Sequence, residues 1–258
     1  DIEEVIIAVE STEHKTIEII LNELQGYEIS IKIIPDTYDI LSSRVKTTNI
    51  FGIPFMVLKS DILPKWQKRI KWGIDIVLSI IAIILLLPFF IFIPILIKKG
   101  SKGSIFFKQK RIGLHGKEFE IYKFRTMVVG SEKDGPQLSS ENDCRITKIG
   151  KILRKTRLDE IPQFFNVLKG DMSIVGPRPE RQFYIDKIVE KAPHFVHLHK
   201  VKPGITSWGQ VKYGYAENVD EMVQRLKYDI LYIKNQTLTL DFKILLYTFI
   251  ILFKGKGK

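Results

Sequence analysis

Cysteine is almost missing from this chain: Cys144 stands alone among 258 residues. No internal disulfide framework can form, and such usage fits a reducing compartment. A single thiol without catalytic neighbours reads as inert packing. No signal peptide is visible, and the chain opens at Asp1 on DIEEVIIAV, which reads as a strand already under way. The expectation is a fragment whose upstream portion is missing. Acids become scarce beyond residue 58. The first 58 residues hold ten acids and four bases, a net −6, which leaves +17 on the rest of a chain whose total is +11. A basic body of this kind suits anionic partners: lipid head groups, nucleic acid or a phosphorylated substrate.

A glycine-rich phosphate loop is also lacking from the N-terminal part, which makes catalysis there an unpromising reading. The run Val5–Val9 predicts a strand, Glu13–Leu24 a helix stopped by Gly26, and Ile29–Ile34 a second strand closed by Pro35-Asp36. This β-α-β order suits the tail of a doubly wound α/β domain with a regulatory or structural role. Residues 36–64 read as a linker with short apolar patches, Ile50–Leu58 among them.

Charge vanishes altogether from Ile76 to Ile97. As one straight helix this run spans about 33 Å, enough for a hydrocarbon core of roughly 30 Å. Pro88 lies near its middle, where it breaks the hydrogen bond to the carbonyl of Ile84 and kinks the helix. Both flanks are basic, with Lys65, Lys68, Arg69 and Lys71 before the run and Lys98, Lys99, Lys102, Lys108, Lys110 and Arg111 after it. The positive-inside rule then assigns both ends to the cytoplasmic face. A helix that enters, breaks at Pro88 and returns satisfies both, over about residues 70–98. Trp66 and Trp72 suit interfacial anchors. Ile244–Phe253 is too short to span and reads equally as an interfacial or a core helix, and the end KGKGK reads as a solvated basic tail.

The chemistry gathers between Lys117 and Pro179. KEFEIYKFRTM (117–127) alternates as a strand and presents Lys123 and Arg125 on one face. Arg145, Lys148, Lys151, Arg154, Lys155 and Arg157 then approach the pair Asp159-Glu160, and Arg178 follows it. Cations of this kind hold phosphate oxygens, while adjacent carboxylates bind a divalent metal or attack phosphorus. Pro162 predicts a helix from near Asp159 to Lys169, stopped by Gly170, which sets both acids at a helix N-terminus. The plainer alternative is an N-cap with first-turn acids. Phe164 and Phe165 read as core. His194, His197 and His199 do not share one helical face, which argues against a metal cluster.

The apolar segment, YKFRTM, GKILRKTRLDEIPQFFNVLKGDMSIVGPRP and KPGIT (202–206) together resemble the bacterial sugar transferase family, the monotopic polyprenyl-phosphate phosphoglycosyl transferases. The resemblance runs from about Lys65 to Phe253, and residues 1–58 resemble the end of the nucleotide-binding-like domain of its long members. It implies an α+β fold: a mostly helical, membrane-associated catalytic domain (59–258) with a re-entrant membrane helix, preceded by a fragment of a doubly wound α/β domain (1–58). It implies transfer of a sugar 1-phosphate from a UDP-sugar to a polyprenyl (undecaprenyl) phosphate, releasing UMP, by way of a phosphosugar held covalently on Asp159. Glu160 matches the dyad partner, with metal positioning or proton handling as its role. Magnesium, held by Asp159 and Glu160, is the implied cofactor. Arg154 and Arg178 match the phosphate-holding arginines, and residues 142–148 and 202–206 border the nucleotide. The implied setting is the cytoplasmic face of the inner membrane, with membrane lipid and a homodimer as further partners.

One residue departs from the family pattern: Leu87 precedes Pro88 where a serine is usual, so no hydroxyl is there to satisfy a freed carbonyl. WGQVKYGYAENVDE (208–221) resembles the subgroup linked to exopolysaccharide export. A membrane-anchored basic binding protein without catalytic activity is the alternative. A nucleic-acid partner is not expected, because no groove-entering motif or interleaved aromatics are present, and a binding role gives Asp159-Glu160 no reason to sit among arginines.

Overall fold

The computed structural model describes residues 2, 4–9, 14–24, 30–33, 47–50, 53–58, 63–132, 135–138 and 143–253. Its contacts divide the chain into two units, Asp1–Pro64 and Lys65–Lys258. In the first, β1 (Glu4–Ile7), α1 (His14–Glu23) and β2 (Ser30–Ile33) follow the expected β-α-β order. The two strands pair in parallel from Glu4↔Ser30 to Ile7↔Ile33. The stretch read as a linker departs from expectation. It contains β3 (Thr47–Ile50) and β4 (Ile53–Leu58), which pair antiparallel with each other, and β4 also pairs with β2. IPFMVL is the kind of β-branched and aromatic run that fits a pleated surface, and a neighbouring strand supplies its partner. Gly26, Pro35-Asp36 and the tail 254–258 lie outside the described residues.

The second unit opens with α2 (Lys65–Leu85) and α3 (Leu87–Gly100), bent by 59° at the break between them. Pro88 stands in the first turn of α3, where an N–H has no intrahelical acceptor to lose. The N–H groups of Phe89 and Phe90 both reach back to the carbonyl of Leu86, at 2.9 and 3.3 Å. Among the described residues no single helix is long and apolar enough to cross a membrane; the bent pair is, by length and composition, only when taken together. The far arm of the pair packs inward. Ile93 and Ile97 of α3 join Phe124, Leu153 and Ile161 in one buried apolar cluster.

That cluster draws on the next elements in order. β5 (Phe106–Ile112) and β6 (Glu118–Phe124) form an antiparallel hairpin in register from Phe106↔Phe124 to Ile112↔Glu118. α4 (Lys148–Thr156) is capped by Thr147, whose Oγ1 accepts from the N–H of Gly150 at 2.9 Å. A 3-10 turn, Leu158–Glu160, leads into α5 (Gln163–Lys169), and Gly170 ends that helix at φ 89° in the left-handed region. The helix therefore starts later than the pattern around Pro162 implies, and the two acids occupy the tighter turn ahead of it.

β7 (Ser173–Val175) pairs in parallel with β8 (Gly204–Thr206), with α6 (Gln182–Lys191) and a 3-10 segment (Pro193–Lys200) between them. Here VGPRP and KPGIT meet backbone to backbone. Gly176 donates to the carbonyl of Thr206 at 3.0 Å, and Gly204 donates to that of Pro177 at 2.9 Å. A Cβ on Gly176 would run into the Lys202 carbonyl, and one on Gly204 into the Gly176 amide, so both positions need glycine. α7 (Trp208–Lys212), α8 (Val219–Lys234) and α9 (Leu238–Phe253) complete a mixed, mainly helical unit. α9 has two faces: Asp241 and Ile244 are buried, while Phe242, Leu246, Phe249 and Ile250 are exposed.

A closed polar network ties α2 to this body. Lys71 donates to Asp241 Oδ2 at 2.6 Å and to the Val175 carbonyl at 3.0 Å. Asp75 accepts from Ser173 Oγ at 2.7 Å and from the Ile174 amide at 3.2 Å. Tyr232 donates to Asp241 Oδ1 at 2.7 Å and accepts from Gln236 Nε2 at 2.9 Å. Lys71, counted in the sequence as a flanking surface cation, is thus engaged inside the protein. Arg111 is too, since its guanidinium donates to Glu180 Oε2 and to the Pro179 carbonyl.

Candidate active site

Asp159 and Glu160 are set by the chain path between α4 and α5. Arg157 ends α4 at φ 60°, in the left-handed region, and this reversal turns the following 3-10 segment inward. Asp159 is 7% exposed and Glu160 8%. The turn rests on Ile161 and Leu158, which belong to or pack against the apolar cluster shared with α3. The dyad is therefore built directly onto the inner arm of the bent helix pair.

Four cations face the carboxylates. Lys123, near the end of β6, donates to Glu160 Oε1 at 2.6 Å. Arg178 NH1 lies 3.8 Å from Glu160 Oε1, and Arg157 NH1 lies 3.6 Å from Glu160 Oε2. Arg154 is held by its Nε–H to Thr126 Oγ1 at 2.9 Å, and its charge acts on Asp159. Gly150 makes this approach possible, because a Cβ there would strike the backbone of Thr126. Asn166 fixes the other side. Its Oδ1 accepts from the Tyr122 amide at 3.0 Å and its Nδ2 donates to the Glu120 carbonyl at 2.7 Å, which clamps β6 to α5 and sets Lys123 beside Glu160.

The two carboxylates differ in kind. Burial pushes Glu160 upward, but Lys123, Arg157 and Arg178 outweigh it, and the group is held well below the usual carboxylate range. Glu160 is thus a stable anion and a poor carrier of protons. Asp159 goes the other way. Burial, reinforced by the charge of Glu160, raises it against the pull of Lys123, Arg157 and Arg154. Its Oδ1 is buried with no hydrogen-bond partner among the described residues. An oxygen stripped of water and given no donor carries a cost that a bound ligand or a reaction would recover.

Not every residue proposed from sequence is brought here. Arg125 is a correction. β6 ends at Phe124, so the face shared with Lys123 is lost, and the Arg125 guanidinium turns to the exit of α3. It donates to the Lys102 carbonyl at 2.7 Å and to the carbonyl and Oγ of Ser101 at 2.9 Å each. Its role is to cap that helix end. Arg145 folds back on Asp143, with Nη2 to Oδ2 at 2.6 Å, and also binds the Ser131 and Leu138 carbonyls, so it braces its own loop. Lys148, Lys151 and Lys155 line the exposed side of α4. Cys144 is exposed rather than packed, and residue 142 lies outside the described residues. Among the described residues no group of three or more His, Cys, Asp or Glu could hold a metal. Burial lowers His197, to about 4, and also His199. Phe164 packs against the apolar cluster, whereas Phe165 is partly exposed and meets Phe90 of α3 edge to face at 5.5 Å.

Sequence reasoning missed Asn166 and Tyr215. Asn166 sits within the quoted motif, but only the fold reveals its pairing with β6. Tyr215 lies far along the chain, with its ring 4.2 Å from the Arg157 guanidinium carbon and 5.5 Å from that of Arg178.

The site is thus a buried acid pair faced by four cations beside a bent apolar helix pair. Residues 66–255 match the family described as bacterial sugar transferase, and the chain belongs to that family. It is 44% identical over 188 residues to a UDP-N-acetylgalactosamine-undecaprenyl-phosphate N-acetylgalactosaminephosphotransferase of Aeromonas hydrophila, covering 73% of this chain and 44% of that protein. It is 37% identical over 258 residues to a UDP-glucose:undecaprenyl-phosphate glucose-1-phosphate transferase of Klebsiella pneumoniae, covering 98% and 54%. An uncharacterized sugar transferase of Bacillus subtilis, EpsL, is 44% identical over 152 residues, covering 59% and 70%. The chain spans about half the length of the first two relatives.

Proposed function

We propose that the chain transfers a sugar 1-phosphate from a UDP-sugar to a polyprenyl phosphate, with Asp159 as nucleophile. The unpartnered, buried Oδ1 of Asp159 carries this reading. A carboxylate oxygen attacks the β-phosphorus, and the bond from that phosphorus to the oxygen bridging to the α-phosphate breaks. UMP leaves with the bonding pair. A phosphate oxygen of the polyprenyl phosphate then attacks the phosphorus held on Asp159. The aspartyl bond breaks, the carboxylate is restored, and the product is a polyprenyl diphosphate-sugar.

The cations divide the work. Arg178 and Arg157 lie near Glu160 at more than hydrogen-bond length, so each keeps donors for phosphate oxygens. Lys123 and Glu160 form the close buried pair that holds the geometry. Magnesium takes one or two carboxylates together with substrate phosphates. Asp159 suits such an ion, and Glu160 less so, since cations already face both of its oxygens. Asp159 would hold the ion with the donor's diphosphate, Glu160 standing beside it as the fixed anion, and the ion's chemistry would be to neutralise charge on the phosphoryl oxygens. Chelation is expected to stop UMP release and added magnesium to restore it.

Exposed apolar surface supports a membrane setting. Ile80, Ile81, Ile84, Leu85, Leu87 and Phe92 on the bent pair are all exposed, and exposed apolar side chains gathered on one helix pair suit an interaction or membrane surface. Trp66 and Trp72, each 59% exposed, suit the interfacial level. We read the pair as re-entrant, with both ends on the cytoplasmic face of the inner membrane. Cysteines introduced at Lys68 and Lys102 should then label from that face only, and labelling of one from the opposite face overturns the topology. The relatives' names carry N-acetylgalactosamine, glucose and galactose, so the sugar is open. The deciding experiment supplies the protein with polyprenyl phosphate and a panel of UDP-sugars and measures UMP. Release by the unaltered protein and none by Asp159→Asn is expected; full release by that variant would sink the assignment.

A further inference from the structure

We infer that Tyr215 is a positioning residue that holds Arg157 and Arg178 at the spacing in which they receive the donor's diphosphate. The inference rests on the transferase reading above and adds a residue to it. One aromatic ring serves two guanidinium groups, at 4.2 and 5.5 Å, and those two groups approach the two oxygens of Glu160 at 3.6 and 3.8 Å. At such lengths the carboxylate attracts the arginines without fixing their direction. The ring adds the missing constraint, because a guanidinium held over an aromatic face keeps N–H donors at its edge for another partner.

The loop that carries the ring is itself tethered. Upstream, the Gly209 amide donates to buried Asp229 at 2.9 Å, and Ser207 caps α7 through the Gln210 amide at 2.9 Å. Gly214, at φ 97°, then reverses the chain, a conformation that favours glycine. Downstream, Asn218 and Glu221 form a reciprocal cap at the start of α8: the Glu221 amide donates to Asn218 Oδ1, and the Glu217 amide to Glu221 Oε2. The segment WGQVKYGYAENVDE thus delivers one ring to the dyad from outside the LDE…VGPRP run. Arg157 has a particular need of it, since its left-handed backbone leaves the side chain outside the regular rows of α4.

The test uses the full chain and the UDP-sugar that the unaltered protein turns over. Tyr215→Leu is expected to raise KM for that sugar nucleotide about tenfold while kcat changes less than about threefold, and Tyr215→Phe to stay within about twofold on both. In an Arg157→Ala, Arg178→Ala background the Leu substitution should add almost nothing. An unchanged KM in Tyr215→Leu, or a Phe variant as impaired as the Leu variant, overturns the inference. If the Leu variant does not fold, Tyr215→Trp decides: a KM at or below that of the unaltered protein supports stacking, and a tenfold rise refutes it. Failure of the unaltered protein to release UMP from any UDP-sugar removes the transferase reading and this inference together, a result distinct from either failure at Tyr215.

Discussion

The second unit holds several clusters of buried charge, and two of them are built on opposite plans. Under α2, Lys71, Asp75, Asp241, Tyr232 and Gln236 hydrogen-bond one another and the β7 strand, and none of their polar atoms is stranded. At the dyad, Glu160 is saturated with cations while Asp159 Oδ1 is left without a donor. A closed network directs its electrostatics to holding a helix in place. The open one leaves a carboxylate oxygen without a donor, which is what the proposed nucleophile requires. Burial and charge do not tell the two clusters apart, since both are buried and both are charged; the unpartnered carboxylate oxygen does.

Substitution can break that contrast, starting with the largest effect. Asp159→Asn should lower UMP release by about a thousandfold or more, without lowering the midpoint of thermal unfolding, because no donor is lost. Asp241→Ala should behave in reverse. It removes the carboxylate that pairs with Lys71 and accepts from the Tyr232 hydroxyl, leaving both with the Val175 carbonyl, and should cost about 3 kcal/mol of stability, read as a lowered melting temperature, while the folded fraction keeps its turnover number. A melting loss at Asp159, or a specific loss of turnover at Asp241, would merge the two classes. Arg178→Ala should raise KM for the UDP-sugar by about tenfold, since a charged hydrogen bond to phosphate is worth about 1.5–3 kcal/mol. The smallest effect is on pH dependence. The carboxylate is the reactive form, and burial raises Asp159, so UMP release should fall with acidity at a pH above the ~3.9 of a free aspartate. An acid limb at or below that value would mean that burial does not govern the nucleophile.

Much of the second unit was legible where its causes are local. Pro88 marks the bend because a missing N–H acts within one turn, and Gly170 ends α5 because a left-handed residue is needed there. The cations Arg154, Arg157, Arg178 and Lys123 were read as the dyad's company from chain proximity and the family pattern. What escaped depends on partners distant in sequence. Lys71 resembled every other flanking base until Asp241, 170 residues away, was found bonded to it. Arg125 shared a face with Lys123 only if the strand continued, and the strand stops at Phe124. The run Ile53–Leu58 carried strand composition, but its short length and the lack of a visible partner made it look like a linker. Tyr215 had no local signature at all, because an aromatic residue stacked on arginine has the same spelling as one exposed to solvent.

The meeting of Gly176 with Gly204 bears on how such proteins can be re-engineered. VGPRP carries Arg178, and KPGIT supplies the backbone on which that segment is laid, with no room for a side chain at either glycine. The two motifs, separated in the chain by α6 and the 3-10 segment, therefore behave as one heritable part. A chimera that takes one segment from a relative and keeps the other should misplace Arg178, whereas exchange of both together should carry the site across intact.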